Sequence, residues 1–90
     1  ADAVNIAVGT TTGTKIGTAT SQKIGFFNAT PVVQRSDSGA LTDSTTGTAG
    51  ATINDVGAAY SQSTLNNNFA SLTAKINALR TALRDLGLMA

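Results

Sequence analysis

Ninety residues make one small domain at most, and a compact chain of that size buries only roughly 60–70% of its unfolded surface, so a staple or a partner is often needed. The chain has no Cys, which excludes a disulfide or thiolate zinc staple, leaves the redox compartment open, and points to oligomerisation. The net charge is +1 and neither sign forms a run, which argues against charge-driven binding to nucleic acid or a membrane surface.

The composition leans on Ala, Thr, Gly, Ser and Asn, and the aromatic residues are Phe26, Phe27, Tyr60 and Phe69. Small side chains fill little volume, so a large private core is not expected. No segment approaches the roughly 18 apolar residues of a membrane span. The start, Ala1-Asp2-Ala3-Val4, has neither a basic flank nor an apolar run, and is not expected to be a secretion signal. The expectation is a soluble, unprocessed chain.

Residues 1–35 read as a Gly/Thr-rich β region. Val4, Ile6 and Val8 alternate with small or polar residues, the period of a half-buried strand, before Gly9–Gly13 interrupts them. Lys15-Ile16-Gly17 recurs as Lys23-Ile24-Gly25 with Thr or Ser around both copies. β-branched residues favour extended backbone, and two copies suggest a hairpin rather than a solenoid. Phe26 and Phe27 follow, and on a strand they would face opposite sides, one toward a core and one toward a neighbour or a docking surface. Pro31 sets an extended entry into Val32-Val33-Gln34. Three or four short strands are expected by Arg35.

Residues 36–60 read as an extended loop or arm. From Ser36 to Gly50, Leu41 is the only large apolar residue, too little to offset the ordering entropy of a packed element. So long a segment is unusual inside one compact domain and makes more sense as a strap across a neighbouring chain. Thr52–Ala59 is ambiguous, because Ile53 and Val56 are three apart and Gly57 weakens any helix.

Residues 61–90 read as a C-terminal helix. Ser61 is a candidate N-cap with Ser63 as its competitor, and Tyr60 and Leu65 have the spacing of a hydrophobic staple. Gly87 suits the left-handed position after the helix, with Leu88 placed against Leu83, and Arg80 and Arg84 suit the dipole. Leu65, Phe69, Leu72, Ile76, Leu79, Leu83 and Leu86 follow at intervals of 4, 3, 4, 3, 4 and 3. That is a coiled-coil seam with Leu65 at d and Phe69 at a. The seam residues do not settle how many helices meet. In a parallel pair Lys75 at g would lie near Arg80 at e of the partner, a like-charge contact, and no Glu is present to relieve it. Ala70, Ala74, Ala78 and Ala82 form a small-residue stripe that could seat another helix or an extended arm, or could serve helix propensity alone. The competing reading packs the helix on its own chain's sheet. It is disfavoured because the stripe stays strict for three heptads while the N-terminal half is poor in bulky residues.

Catalytic chemistry is not expected. There is no His, Cys, Glu or Trp, and the carboxylates Asp2, Asp37, Asp43, Asp55 and Asp85 are scattered. A Ser or Thr nucleophile would need a base within hydrogen-bond reach, and no motif supplies one. Gly9–Gly17 lacks the Gly-Lys-Ser/Thr ending of a phosphate loop, and Asp37 and Asp43 lack the dense oxygen spacing of a calcium loop. Asn28-Ala29-Thr30 matches a glycosylation acceptor, a tripeptide common by chance and followed here by Pro31. No cofactor or metal is expected.

The stretch Thr11-Thr12-Gly13-Thr14-Lys15-Ile16-Gly17-Thr18-Ala19-Thr20-Ser21-Gln22-Lys23-Ile24-Gly25-Phe26-Phe27-Asn28-Ala29-Thr30-Pro31-Val32-Val33-Gln34 resembles a segment of small bacteriophage virion proteins, head-fibre-like and capsid-decorating ones among them. The ending Leu79–Leu88 is similar to theirs as well, though as a generic helix. The resemblance implies a non-enzymatic homotrimeric subunit on the virion, made in the host cytoplasm, whose partners are itself and the major capsid protein or another virion protein. The expected fold is α+β, with short N-terminal β-strands and an extended arm before a helix that forms a parallel homotrimeric coiled coil. Lys15, Ile16, Lys23, Ile24, Phe26 and Phe27 are the candidates for capsid or interchain contact, with both rings in a trimeric core as the alternative. A tail or neck fibre module, a host-surface-binding module and a regulatory zipper protein are the competing functions.

Overall fold

A computed structural model describes residues 2–90 and divides the chain into two units, Ala1–Gln34 and Arg35–Ala90. The second is built on a single helix, α1 (Gln62–Asp85). Its start is fixed by Ser61, which has extended backbone and whose Oγ accepts from the Thr64 N–H at 3.4 Å. Ser61 therefore prevails over Ser63 as the cap. The expected staple is weak at best, because Tyr60 stays exposed. The far end closes as a Schellman turn: the Leu88 N–H donates to the Leu83 carbonyl at 2.9 Å and the Gly87 N–H to the Arg84 carbonyl at 3.0 Å. Gly87 has φ 78°, the left-handed conformation that this turn needs and that a side chain would oppose. α1 is not apolar enough to cross a membrane.

The arm does not leave its own chain. It begins beside the C-terminal end of α1, where Arg35 bridges Met89 and the Ala90 N–H donates to the Arg35 carbonyl at 2.7 Å. It then runs antiparallel to the helix, with Asp37 at Arg80, Leu41 at Asn77 and Thr48 at Asn67. Beyond Thr48 it doubles back, placing Gly50 at Ser71 and Asn54 at Asn68. Close approach is possible because the residues at the crossing are small. A Cβ on Gly47 would collide with the backbone of Asn66 and Asn67. Ala70 and Ser71, 5% and 4% exposed, are the buried residues of the described chain. The strap expected across a neighbouring chain thus lies along this chain's own helix, because that helix carries polar side chains spaced to receive it.

The N-terminal unit corrects the expectation of three or four strands. Among the described residues no strand forms, and Val4, Ile6 and Val8 are exposed. The two Lys-Ile-Gly copies do not pair with each other. Instead Ile24 forms an isolated antiparallel bridge with Val32, exchanging N–H to carbonyl bonds of 2.9 and 3.0 Å. The physical reason is the lack of a second layer: two short extended segments without a face to bury are at best marginally stable. Between Ile24 and Val32 the Ala29 N–H donates to the Phe26 carbonyl at 3.0 Å, while Phe27 and Asn28 take φ 50° and 64°. Those features define a type I′ turn. Phe26 and Phe27 therefore sit in a turn and not on opposite faces of a strand.

Gly47→Ala is expected to lift the strap at its crossing while leaving α1 helical. Amide hydrogen exchange should accelerate at Thr48 and Gly50 with no loss of far-ultraviolet helix signal, and unchanged exchange there would contradict the close packing at Gly47.

Candidate assembly interface

The heptad positions divide α1 into two faces. With Phe69, Ile76 and Leu83 at a and Leu72, Leu79 and Leu86 at d, the opposite face is made of the b, c and f positions. Those positions hold Asn67 at f, Ala70 and Asn77 at b, and Ser71 at c, and the strap lies along them, fastened also to Asn68 at g and Arg80 at e on the two edges of that face. The strap is held mainly by side-chain amides acting on backbone. Asn77 closes a reciprocal pair on one residue: its Oδ1 accepts from the Leu41 N–H and its Nδ2 donates to the Leu41 carbonyl, both at 2.9 Å. Asn68 does the same for Asn54, at 2.9 and 2.8 Å. Asn67 Oδ1 accepts from Thr48 at 2.8 Å. Ser71 Oγ accepts from the Gly50 N–H at 3.0 Å and donates back to the Asn67 carbonyl at 2.9 Å. Each amide presents a donor group and an acceptor group side by side, the same pairing that a neighbouring strand would offer.

One ion pair closes the strap. Both carboxylate oxygens of Asp37 accept from the Arg80 guanidinium, through Nε and through a terminal nitrogen. Bidentate pairing of this kind fixes orientation as well as charge. The Arg80 hydrogen bonds, followed by that of the Gly39 N–H, lower the Asp37 pKa from its usual 3.8 to about 2. Asp43 is also lowered, by the Thr45 hydroxyl first and then by the Thr45 N–H. Asp37, Asp43 and Asp55 each accept from the N–H two residues on, so their oxygens serve local turns. Among the described residues no group of three acidic or imidazole or thiol side chains could hold a metal ion.

The other face of α1 has no cover. Leu65 is half-buried, but Phe69, Leu72, Ile76, Leu79, Leu83 and Leu86 are exposed, from 39% at Leu83 to 74% at Leu86. The leucines are therefore not packed on strands of their own chain. The N-terminal unit shows the same lack of cover. Lys15, Ile16, Lys23 and Phe26 are exposed and Ile24 is half-buried. The Phe27 ring is wholly exposed although its backbone is left-handed, which costs a bulky residue of order 1–3 kcal/mol.

The amide ladder escaped the sequence reading. Its signal was present: Asn66-Asn67-Asn68 places poor helix formers side by side inside a helix, a run that needs a reason. Comparison with known proteins adds no relative: no family model matches the chain, and neither a curated protein nor a solved structure does.

Replacing both Asn68 and Asn77 by Ala is expected to separate the strap from the helix. Ala is the better helix former, so helix content should hold or rise, while exchange at the Leu41 and Asn54 amides should quicken about 30-fold each, as the loss of two hydrogen bonds worth about 1 kcal/mol apiece implies. Protection that survives both substitutions would show that the ladder does not hold the strap.

Proposed function

We propose that this chain is a non-enzymatic structural subunit that assembles with copies of itself through the free face of α1, as a parallel trimeric coiled coil. The observation that carries this reading is the division of labour on the helix. The back is occupied by the strap's hydrogen bonds, while a strict heptad stripe is left exposed, uncovered by the strap of its own unit. Burying a Leu, Ile or Phe side chain fully is worth about 1.5–3 kcal/mol, and a seam of that length is a large unspent driving force. A second copy fits it better than a foreign helix, because a repeat of period 3.5 is complementary to itself.

The particle on which such a subunit would serve is proposed from the Thr11–Gln34 stretch and its resemblance to small phage virion proteins, together with the character of the N-terminal unit. We place it on the capsid surface, as a decorating or head-fibre-like protein. The exposed backbone and β-branched residues of the N-terminal unit suit interchain strands, and Phe27 suits insertion into an apolar pocket of the capsid shell. With a net charge of +1 such contacts would rest on shape and backbone pairing more than on long-range attraction. A ring held out at the tip of an unfavourable turn is explicable if the ring is used.

Sedimentation equilibrium is expected to give a trimer for the wild type at micromolar concentration and a monomer for Leu79→Asp; a wild-type monomer would sink the seam. Phe27→Asn relieves the turn and should leave the trimer intact while abolishing co-sedimentation with capsids stripped of this protein. Imaging of virions that carry a tagged copy should label the head, and label confined to the tail would refute the capsid assignment.

A further inference from the structure

The parallel seam as read from the sequence has a defect that the structure repairs. In a parallel, in-register coiled coil the g position of one helix faces the e position of the next heptad on its neighbour. Here that sets Lys75 against Arg80, two cations, and the acid on α1 itself, Asp85, lies at c, away from the contact. The strap supplies what the helix lacks, because Asp37 is bound to Arg80 and so sits at the edge of the seam. Its side chain is 31% exposed. The Oδ1 atom already accepts from Arg80 Nε and from the Gly39 N–H, whereas among the described residues Oδ2 accepts from Arg80 alone and so keeps a lone pair to offer. Lys75 is exposed and has no partner among the described residues.

Resting on the self-association reading above, we propose that the strap is part of the interface between copies: the free lone pair of Asp37 Oδ2 accepts the Lys75 ammonium of the adjacent chain, making a Lys75–Asp37–Arg80 triad at each contact. The triad replaces a like-charge clash with an attraction and selects the parallel arrangement. In an antiparallel pair e faces e and g faces g, so Asp37 would lie against other e positions and Lys75 would go unmatched. A chain whose strap is not seated on Arg80 presents the bare clash, so strap docking and association reinforce each other.

The test is sedimentation equilibrium of the full chain over a series of salt concentrations. Attraction between opposite charges is screened by salt and repulsion between like charges is relieved by it. The wild type should associate more weakly as salt rises. Asp37→Asn should associate several-fold more weakly at low salt and gain strength as salt rises, so that the slope changes sign. Lys75→Gln makes no change within the chain, should leave the Leu41 and Gly39 amides protected, and should flatten the wild-type slope. Added to Asp37→Asn, it should recover the loss at low salt. If the wild type self-associates but Asp37→Asn and Lys75→Gln leave its slope unaltered, the triad is wrong and the seam stands. If the wild type is monomeric at every concentration, the seam itself fails and the triad with it.

Discussion

The structure depends on how the two faces of one helix are used. The b, c and f positions of α1, with Asn68 at the flanking g position, carry amides and a hydroxyl that serve as a pairing edge for an extended segment, so the strap finds donors and acceptors where a strand would find another strand. Backbone N–H and C=O groups withdrawn from water without partners are costly, and Asn77 and Asn68 answer both groups of a residue at once. An apolar back would have drawn the strap by burial and left those groups unmet. Because the strap consumes the polar face, the leucines cannot be covered by the same segment.

Hydrogen bonding alone is a weak fastening for so long a segment. Each such bond contributes about 1 kcal/mol net, about the cost of fixing the backbone of one residue. Between Asp37 and Asn54 the hydrogen bonds to α1 fall at Asp37, Leu41, Thr46, Thr48, Gly50 and Asn54, so much of the ordering of the residues between them has to be met in another way. Burial within the chain contributes little, since Ala70 is its buried apolar residue. Small residues at the crossing serve proximity more than burial: Gly47 lets two backbones touch and Ser71 bonds to both strap and helix. On the self-association reading the seam supplies the missing free energy, and the order of the strap becomes a property of the assembled particle.

What could be read from the chain beforehand follows the range of the physics involved. Caps and helix stops are local, so Ser61 and Gly87 were legible from their neighbours. The apolar stripe on one long helix was legible because the 4/3 spacing is a long-run pattern. The destination of the strap was not, because an Asn that pairs with backbone many residues away has no periodicity to betray it, and the crowding of Asn66–Asn68 was the only hint. The strands failed for a different reason. Alternation at Val4, Ile6 and Val8 says which side would be apolar if a sheet formed, and says nothing of whether a second layer exists to receive it. The turn at Phe27-Asn28 was hidden because a type I′ turn is signalled by Asn-Gly or Asp-Gly, and a Phe in its first central place runs against that chemistry.

That contradiction at Phe27 and the bare leucines of α1 have a common logic. In a monomer both are losses: backbone strain with no packing in return, and apolar surface left in water. Sequence choices that oppose their local environment make sense when the environment that counts is supplied by another molecule. For the helix, the self-association reading makes that molecule a further copy of the chain, since a 4/3 repeat is complementary to itself. For the hairpin, one ring at a turn tip has no self-complementary repeat, so on the proposed reading its match is a pocket and not another tip. Under the proposed function the two units would take partners of different kinds, one symmetric and one not, and such a chain would join a symmetric cluster of itself to a different surface.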